Sequence, residues 1–176
     1  MCEPIRKAAL ADAHAIADVQ VRSWQHAYRD LMPADFLSGL SSSLPDREGR
    51  WAQMLQAETS HVYVACVKGA VVGWISIGAS RDADACANAS GEVMAIYLLA
   101  EHCGTGLGWA LWQTGMQRLS DLGHSRTSLW VLAENARAIR FYRRAGLLED
   151  PGSRRTVSIG GRALEEVRYL GPNARI

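Results

Sequence analysis

The stretch from Gly91 to Leu122 changes character twice. GEVMAIYLL (91–99) has strand composition, EHCGTGLG (101–108) sets glycines at 104, 106 and 108, and helical apolar spacing through Leu111, Trp112, Gly115, Leu119 and Leu122 follows at once. Glycine costs backbone entropy and weakens a helix. Three of them directly before a helix therefore mark unusual backbone angles or a close approach to the main chain. A strand, a glycine turn and a helix in succession restrict the chain to an architecture in which helices cover a sheet. The same succession makes an anion site, because the first N–H groups of the helix have no internal acceptor and its dipole favours negative charge.

Elsewhere IRKAAL (5–10) reads as a short first strand, and Asp12 is placed to cap a helix running to about Arg22 with Ala13, Ile16 and Ala17 on one face. Pro33 suits the first turn of a second helix that closes near Gly39, and a third helical stretch covers Asp46 to Ala57. HVYVACV (61–67) and VVGWISIGA (71–79) read as a hairpin turning at 68–70, followed by a polar loop over 80–90. TSLWVL (127–132) reads as a buried strand, and Asn135 caps a short helix that Gly146 stops. TVSIGGRALEEVRYL (156–170) reads as two strands about Gly160 and Gly161. The expected fold is α/β: a single domain over residues 1–176, with a mixed, mostly antiparallel sheet flanked by helices in the order β-α-α-β-β-β-α-β-α-β-β.

The chain is long enough to bury a core without staples, and its 48% hydrophobic and 21% charged residues are ordinary for a soluble globular protein. Net charge of +1 gives no electrostatic footprint for nucleic acid or an anionic membrane, and no apolar run approaches a bilayer span. MCEPIRKAAL lacks the apolar segment of a secretion signal. Cys2, Cys66, Cys86 and Cys103 form no CxxC pair, which fits the reducing cytoplasm better than a disulfide or zinc framework. His102 beside Cys103 has no further ligand at metal spacing, so no metal is expected.

Three kinds of phosphate-bearing ligand suit a glycine turn at a helix start. A nucleoside triphosphate loop requires GxxxxGK[ST], and no lysine follows here. A dinucleotide fingerprint requires GxGxxG/A, but the sixth position is Trp109 counted from Gly104 and Leu111 counted from Gly106. The diphosphate of coenzyme A remains, alongside a turn that binds nothing. LWVLAENARAIRFYRRAGL (129–147) bears on that choice. Together, GTGLG and the downstream Asn135, Ala138, Phe141, Tyr142, Gly146 and Leu147 resemble the GNAT superfamily of N-acetyltransferases. That family carries Q/R-x-x-G-x-G/A after its fourth strand and N-x-x-A-x-x-F-Y-x-x-x-G-F after its fifth. WQHAYRDLMP (24–33) further resembles a bacterial subgroup with W-x-x-A-Y-x-x-x-x-P in its first helical region. The departures are Cys103 at the Gln/Arg position, Ala100 at a common proline, and Leu147 for the final Phe.

The resemblance implies a GNAT-like fold and transfer of an acetyl group from acetyl-CoA to a primary amine, either a small molecule or a peptide N-terminus, by direct attack. A non-catalytic acyl-CoA-binding sensor or scaffold is the alternative. The backbone of Ile96, Tyr97 and Leu98 would pair with the pantetheine arm, an N–H near Leu98 serving the oxyanion. The amides of Gly104, Thr105, Gly106, Leu107, Gly108 and Trp109 would cradle the phosphates. Asn135, Ala138, Tyr142 and Arg144 fall on the coenzyme, Asn135 also as a helix cap and Ala138 equally as a packing residue. Arg143 is a second choice for the nucleotide phosphate. Tyr142 is the candidate general acid, a phenol of pKa about 10 read as able to protonate a thiolate leaving group. Glu92, fourteen residues before Gly106, is the candidate base, with Glu134 as alternative. Trp24, Tyr28 and Arg81, with His26 and Asp82, are candidates for the acceptor pocket. Family members often form homodimers, and six tryptophans leave room for an aromatic interface.

Overall fold

Strand pairing in the structure, a computed structural model describing residues 4–58, 60–85 and 89–173, joins eight strands into one sheet. These are β1 (Ile5–Lys7), β2 (His61–Val67), β3 (Ala70–Ala79), β4 (Ser90–Leu98), β5 (Arg126–Leu132), β6 (Leu148–Glu149), β7 (Arg155–Ile159) and β8 (Arg162–Pro172). Their order is β1-β2-β3-β4-β5-β8-β6, with β7 paired to β8. Three helices, α1 (Ala13–Ala27), α2 (Ala34–Gly39) and α3 (Leu44–Ala57), stand between β1 and β2, where the expected order has two. α4 (Leu107–Asp121) connects β4 to β5, and α5 (Ala136–Arg144) follows β5. Among the described strands only β4 and β5 pair in parallel, which accords with the helix between them, since parallel neighbours need a crossover. The cysteine reading is half outside the described residues, as Cys2 and Cys86 are; Cys66 and Cys103 are free thiols.

Adjacent residues on β3 and β4 face opposite layers. Trp74 and its register partner Tyr97 face α1 and α3: the Trp74 indole donates to Ile16 O at 3.1 Å and stacks edge-on against Trp51 at 4.7 Å. Ile75 and Ile77 face α4, where a side chain at Gly115 would begin 2.8 Å from Ile75 Cδ1. That close approach explains a glycine inside a helix. A second, smaller apolar cluster joins Val21 of α1 and Leu37 of α2 to Leu132 and Leu164 of the sheet. There Arg162 donates to Leu31 O at 2.8 Å, and Phe36 packs against Gly160 so closely that a Cβ would sit 2.5 Å from its ring. The β7–β8 hairpin is thereby tied to the first helical region.

The first strand ends at Lys7 rather than Leu10, and Asp12 stands at the N-cap position of α1 as expected, but its side chain makes no cap bond there. Its carboxylate turns back to the Ala9 N–H at 2.8 Å and to the Arg6 guanidinium at 2.7 and 2.8 Å, joining the strand end to the turn that enters α1. The Arg6 hydrogen bond, set against partial burial, holds the Asp12 carboxyl below its ordinary value. A lowered folded-state pKa contributes stability above the unfolded value of about 3.9 and loses it as pH falls through the folded value. Asp12→Ala is expected to cost about 1–3 kcal/mol at pH 7, a Tm drop of several degrees. In thermal unfolding the gap to wild type should narrow progressively below pH 4, and a gap independent of pH would contradict the pairing.

Candidate active site

β4 and β5 pair only over Ser90–Glu92 with Arg126–Ser128. Beyond Glu92 each strand stays with its outer neighbour: β4 with β3 as far as Leu98 opposite Gly73, and β5 with β8 as far as Leu132 opposite Glu166. A wedge-shaped opening therefore lies between two strands of one sheet. A bulge helps to part them. Ser76 pairs with Ala95 and Ile77 with Val93, which leaves Met94 as an extra residue on β4 and bends that strand.

The unpaired edge of β4 has free backbone groups. Leu99 N–H donates to Val72 O at 2.9 Å. Backbone groups alternate between the two edges of a strand. Those of Ile96 and Leu98 consequently face the opening, and those of Tyr97 face β3. Tyr97 is thus corrected from a backbone to a side-chain neighbour of the opening. Leu98 O accepts from Ser23 Oγ at 3.3 Å.

The glycine turn stands at the end of β4. Gly104 and Gly106 have φ of 83° and 91°, a left-handed backbone that side chains disfavour. Gly106 is the N-cap of α4, and the first internal bond of the helix runs from Ala110 N–H to Gly106 O at 3.0 Å. No side chain caps this end and no acidic residue lies in its first turn. The N–H groups of Leu107, Gly108 and Trp109 precede that first bond, so they have no partner within the helix. Thr105 Oγ1 is engaged with His102 O at 2.6 Å. The Cys103 thiol points inward to the carbonyls of Leu98 and Leu99 at 3.8 and 3.4 Å, away from the role its motif position carries in the family.

On the other strand, Asn135 Oδ1 accepts from Ala138 N–H at 3.1 Å, which is the N-cap bond expected of it. α5 ends in a paired turn: Gly146 N–H reaches Arg143 O at 3.0 Å and Leu147 N–H reaches Tyr142 O at 3.1 Å, with Gly146 at φ 89°. This geometry presents Tyr142 inward, buried against Trp112 at 5.9 Å and Phe141 at 5.6 Å. Burial, and then the nearby Tyr28, push the Tyr142 phenol above its ordinary value. Tyr97 and Tyr28 are raised mainly by burial as well, and each feels the other. Trp24 stacks on Tyr28 at 5.2 Å and approaches Tyr97 at 6.5 Å, so these three form one aromatic group, and Tyr142 lies near enough for Tyr28 and Tyr97 to interact with it electrostatically. Its interactions with Tyr28 place Asn135 beside that group. Arg144 and His26 are exposed, and Arg143 leans on Glu149 at 3.8 Å.

Glu92 is the last β4 residue paired with β5, so it marks the narrow end of the opening. It is 3% exposed and fully engaged. Arg81 gives it the backbone N–H at 3.0 Å, Nε at 3.1 Å and a third contact from Nη2. Arg81 is therefore a clamp on Glu92 rather than a free acceptor contact. The loop carrying it is anchored by Arg168, which binds Asp82, Asp84 and Asp150, and by the Trp130 indole on Asp82 at 2.9 Å. Arg168 escaped the sequence reading because its three carboxylates lie far apart in the chain. Arg47 also escaped it: α3 places this residue one turn before Trp51, on the side that meets Trp24, where its guanidinium lies 5.8 Å from the indole. A cation one turn before a buried tryptophan was the available signal.

The sequence pattern of the acetyltransferase (GNAT) family matches residues 21–147. An uncharacterized N-acetyltransferase of Bacillus subtilis (strain 168), YuaI, is 35% identical over 139 residues, covering 78% of this chain and 76% of its own. The PaiA N-acetyltransferase of Thermoplasma acidophilum, solved with coenzyme A, superposes at a TM-score of 0.71 with 19% identity over 94% of this chain and 98% of its own. YncA of Salmonella typhimurium, solved with acetyl-CoA, gives 0.67 with 22% identity over 98% and 94%. At such identities these two structures speak for the fold. The chain belongs to the GNAT family of acetyltransferases, whose acyl donor is acetyl-CoA.

Proposed function

We propose that this chain moves the acetyl group of acetyl-CoA onto a primary amine by direct attack with both substrates bound. The observation that carries the proposal is the half-paired β4–β5 junction ending in a glycine turn. It offers an added-strand edge for an amide-bearing arm and, at its end, three helix N–H groups for a diphosphate. Positive φ at Gly104 and Gly106, and open space where their side chains would begin, fit a group that comes close to the backbone.

Acetyl-CoA supplies an activated acyl carbon, and the chain's residues supply position and proton handling. The N–H of Leu98 donates to the carbonyl oxygen as charge builds there. As the C–N bond forms and the C–S bond breaks, the nitrogen gives up a proton and the sulfur leaves as a thiolate, which takes its proton from solvent on release. The sequence reading of Tyr142 as a simple acid requires revision. A phenol is a weaker acid than a thiol, and burial widens that gap. Full transfer to a thiolate is uphill, so the Tyr142 hydroxyl acts chiefly as a hydrogen-bond donor that stabilises the developing charge. Glu92 takes the amine proton through water after the exposed Arg81 side chain gives way to the incoming ammonium.

Thiol release from acetyl-CoA in the presence of an amine panel tests the transfer. Steady release that depends on an amine is expected; acetyl-CoA binding without release from any amine would leave only a sensor or scaffold. With a working amine, Glu92→Gln is expected to lower kcat about 100-fold at pH 7 while sparing acetyl-CoA affinity. An unchanged kcat would remove Glu92 from the proton path.

A further inference from the structure

Arg47 is a half-buried cation with no counter-ion among the described residues. Arg6 and Arg168, which are partly buried as well, have one: Arg6 holds Asp12, and Arg168 holds Asp82, Asp84 and Asp150. Arg47 instead donates Nε to Ser43 Oγ at 3.0 Å and lies over the Trp24 ring. No carboxylate is within ion-pair distance among the described residues. Its surroundings disfavour its charge, through burial first and the neighbouring Arg50 second. Beside it, Trp24 Nε1 is buried near the Tyr97 hydroxyl but makes no well-aligned hydrogen bond among the described residues. A buried donor without a well-aligned acceptor is costly and rare, so the indole N–H beside a guanidinium that no carboxylate balances calls for an explanation.

Both donors stand on the α1 and α3 face of β4, next to Tyr97, whose neighbour Leu98 turns its N–H into the opening. α4 and its glycine turn cover the opposite face. An amine that meets the thioester from the α1 side passes Trp24 and Tyr97, with Arg47 within reach of its far end.

We infer that Arg47 and the Trp24 indole N–H form the recognition site for a carboxylate on the acceptor, which makes the acceptor a small amino acid or a close analogue rather than a polyamine or a protein N-terminus. This rests on the acetyl-transfer reading and narrows its substrate class. A guanidinium suits a carboxylate through parallel N–H bonds, and the indole N–H adds a donor of fixed direction. The rings of Trp24, Tyr28 and Tyr97 supply apolar walls for the atoms between the amine and the acid. Arg47 is thus a specificity residue, and the site discriminates because an acceptor lacking the acid leaves the guanidinium without a counter-charge and the indole N–H without a strong acceptor.

The test is thiol release with matched sets: α-, β- and γ-amino acids, the corresponding amides, and the amines without the acid. An acid is expected to exceed its amide in kcat/KM by about 10- to 100-fold. Arg47→Gln should raise KM for the acid until acid and amide coincide, Arg47→Lys should restore part of the preference, and neither should alter acetyl-CoA affinity. Equal use of acid and amide by the wild type overturns the inference while acetyl transfer stands. Lost acetyl-CoA affinity in Arg47→Gln overturns it too, by assigning Arg47 to the donor. If no amine is acetylated, calorimetric titration of the same acids into the enzyme with coenzyme A decides separately. Acid binding that Arg47→Gln abolishes keeps the carboxylate site without the transfer, and no binding overturns both.

Discussion

Tyr142→Phe is expected to reduce kcat by about 100- to 1,000-fold while leaving acetyl-CoA affinity and thermal stability near wild type. The ring is what packs, against Trp112 and Phe141, and Phe keeps it. The hydroxyl alone is lost, and with it the donor proposed to face the developing thiolate. The pH dependence gives a second check. Burial and Tyr28 raise Tyr142, so its protonated form persists above the ordinary phenol range. A raised pKa moves loss of the donor to higher pH, hence the wild-type rate should show no alkaline decline from this group up to about pH 10. A fall in rate near neutrality that disappears in Tyr142→Phe would show that the hydroxyl is not held protonated, and full activity in the variant would reduce Tyr142 to a packing residue.

Gly106→Val is expected to weaken acetyl-CoA binding by at least about 100-fold, the scale of losing a charge-assisted diphosphate contact. Two effects combine. A β-branched residue resists φ of 91°, a strain of about 1–3 kcal/mol that distorts the turn. The new side chain also enters space that no protein atom fills, where the diphosphate is proposed to lie. Gly123→Val is the control. Gly123 has φ of 89° and open space beside it, but it lies at the opposite end of α4. Both variants should lose stability alike, and only Gly106→Val should lose acetyl-CoA affinity. Equal affinity losses would mean that strain alone is responsible.

What could be read in advance follows from which residues answer to local rules. Gly104 and Gly106 were legible because their φ values admit little else, and Asn135 because a helix start needs a side-chain acceptor. The hairpin strands β2 and β3 fell within a residue of expectation because their composition and turn are local signals. Pairing partners are not local. Nothing in 162–172 says that β8 lies between β5 and the two-residue β6, which was missed. Asp12 had the composition of a cap for α1, yet an arginine six residues earlier drew its carboxylate back. Glu92 is a candidate through the family resemblance, by its distance from Gly106, while the clamp of Arg81 on it depends on how the following loop folds over the strand. Arg47 has no carboxylate partner among the described residues, and that lack is visible only once the surroundings, Ser43 and the Trp24 ring, are in place.

The central claim is that the chain receives acetyl-CoA in the opening between β4 and β5, diphosphate on the amides at the start of α4. A crystal structure of the protein with acetyl-CoA tests it most directly. The expected result places the diphosphate against the N–H groups of Leu107, Gly108 and Trp109, the pantetheine arm along Ile96 and Leu98, and the thioester sulfur within hydrogen-bond reach of the Tyr142 hydroxyl. A diphosphate bound elsewhere, or a thioester remote from Tyr142, would contradict it.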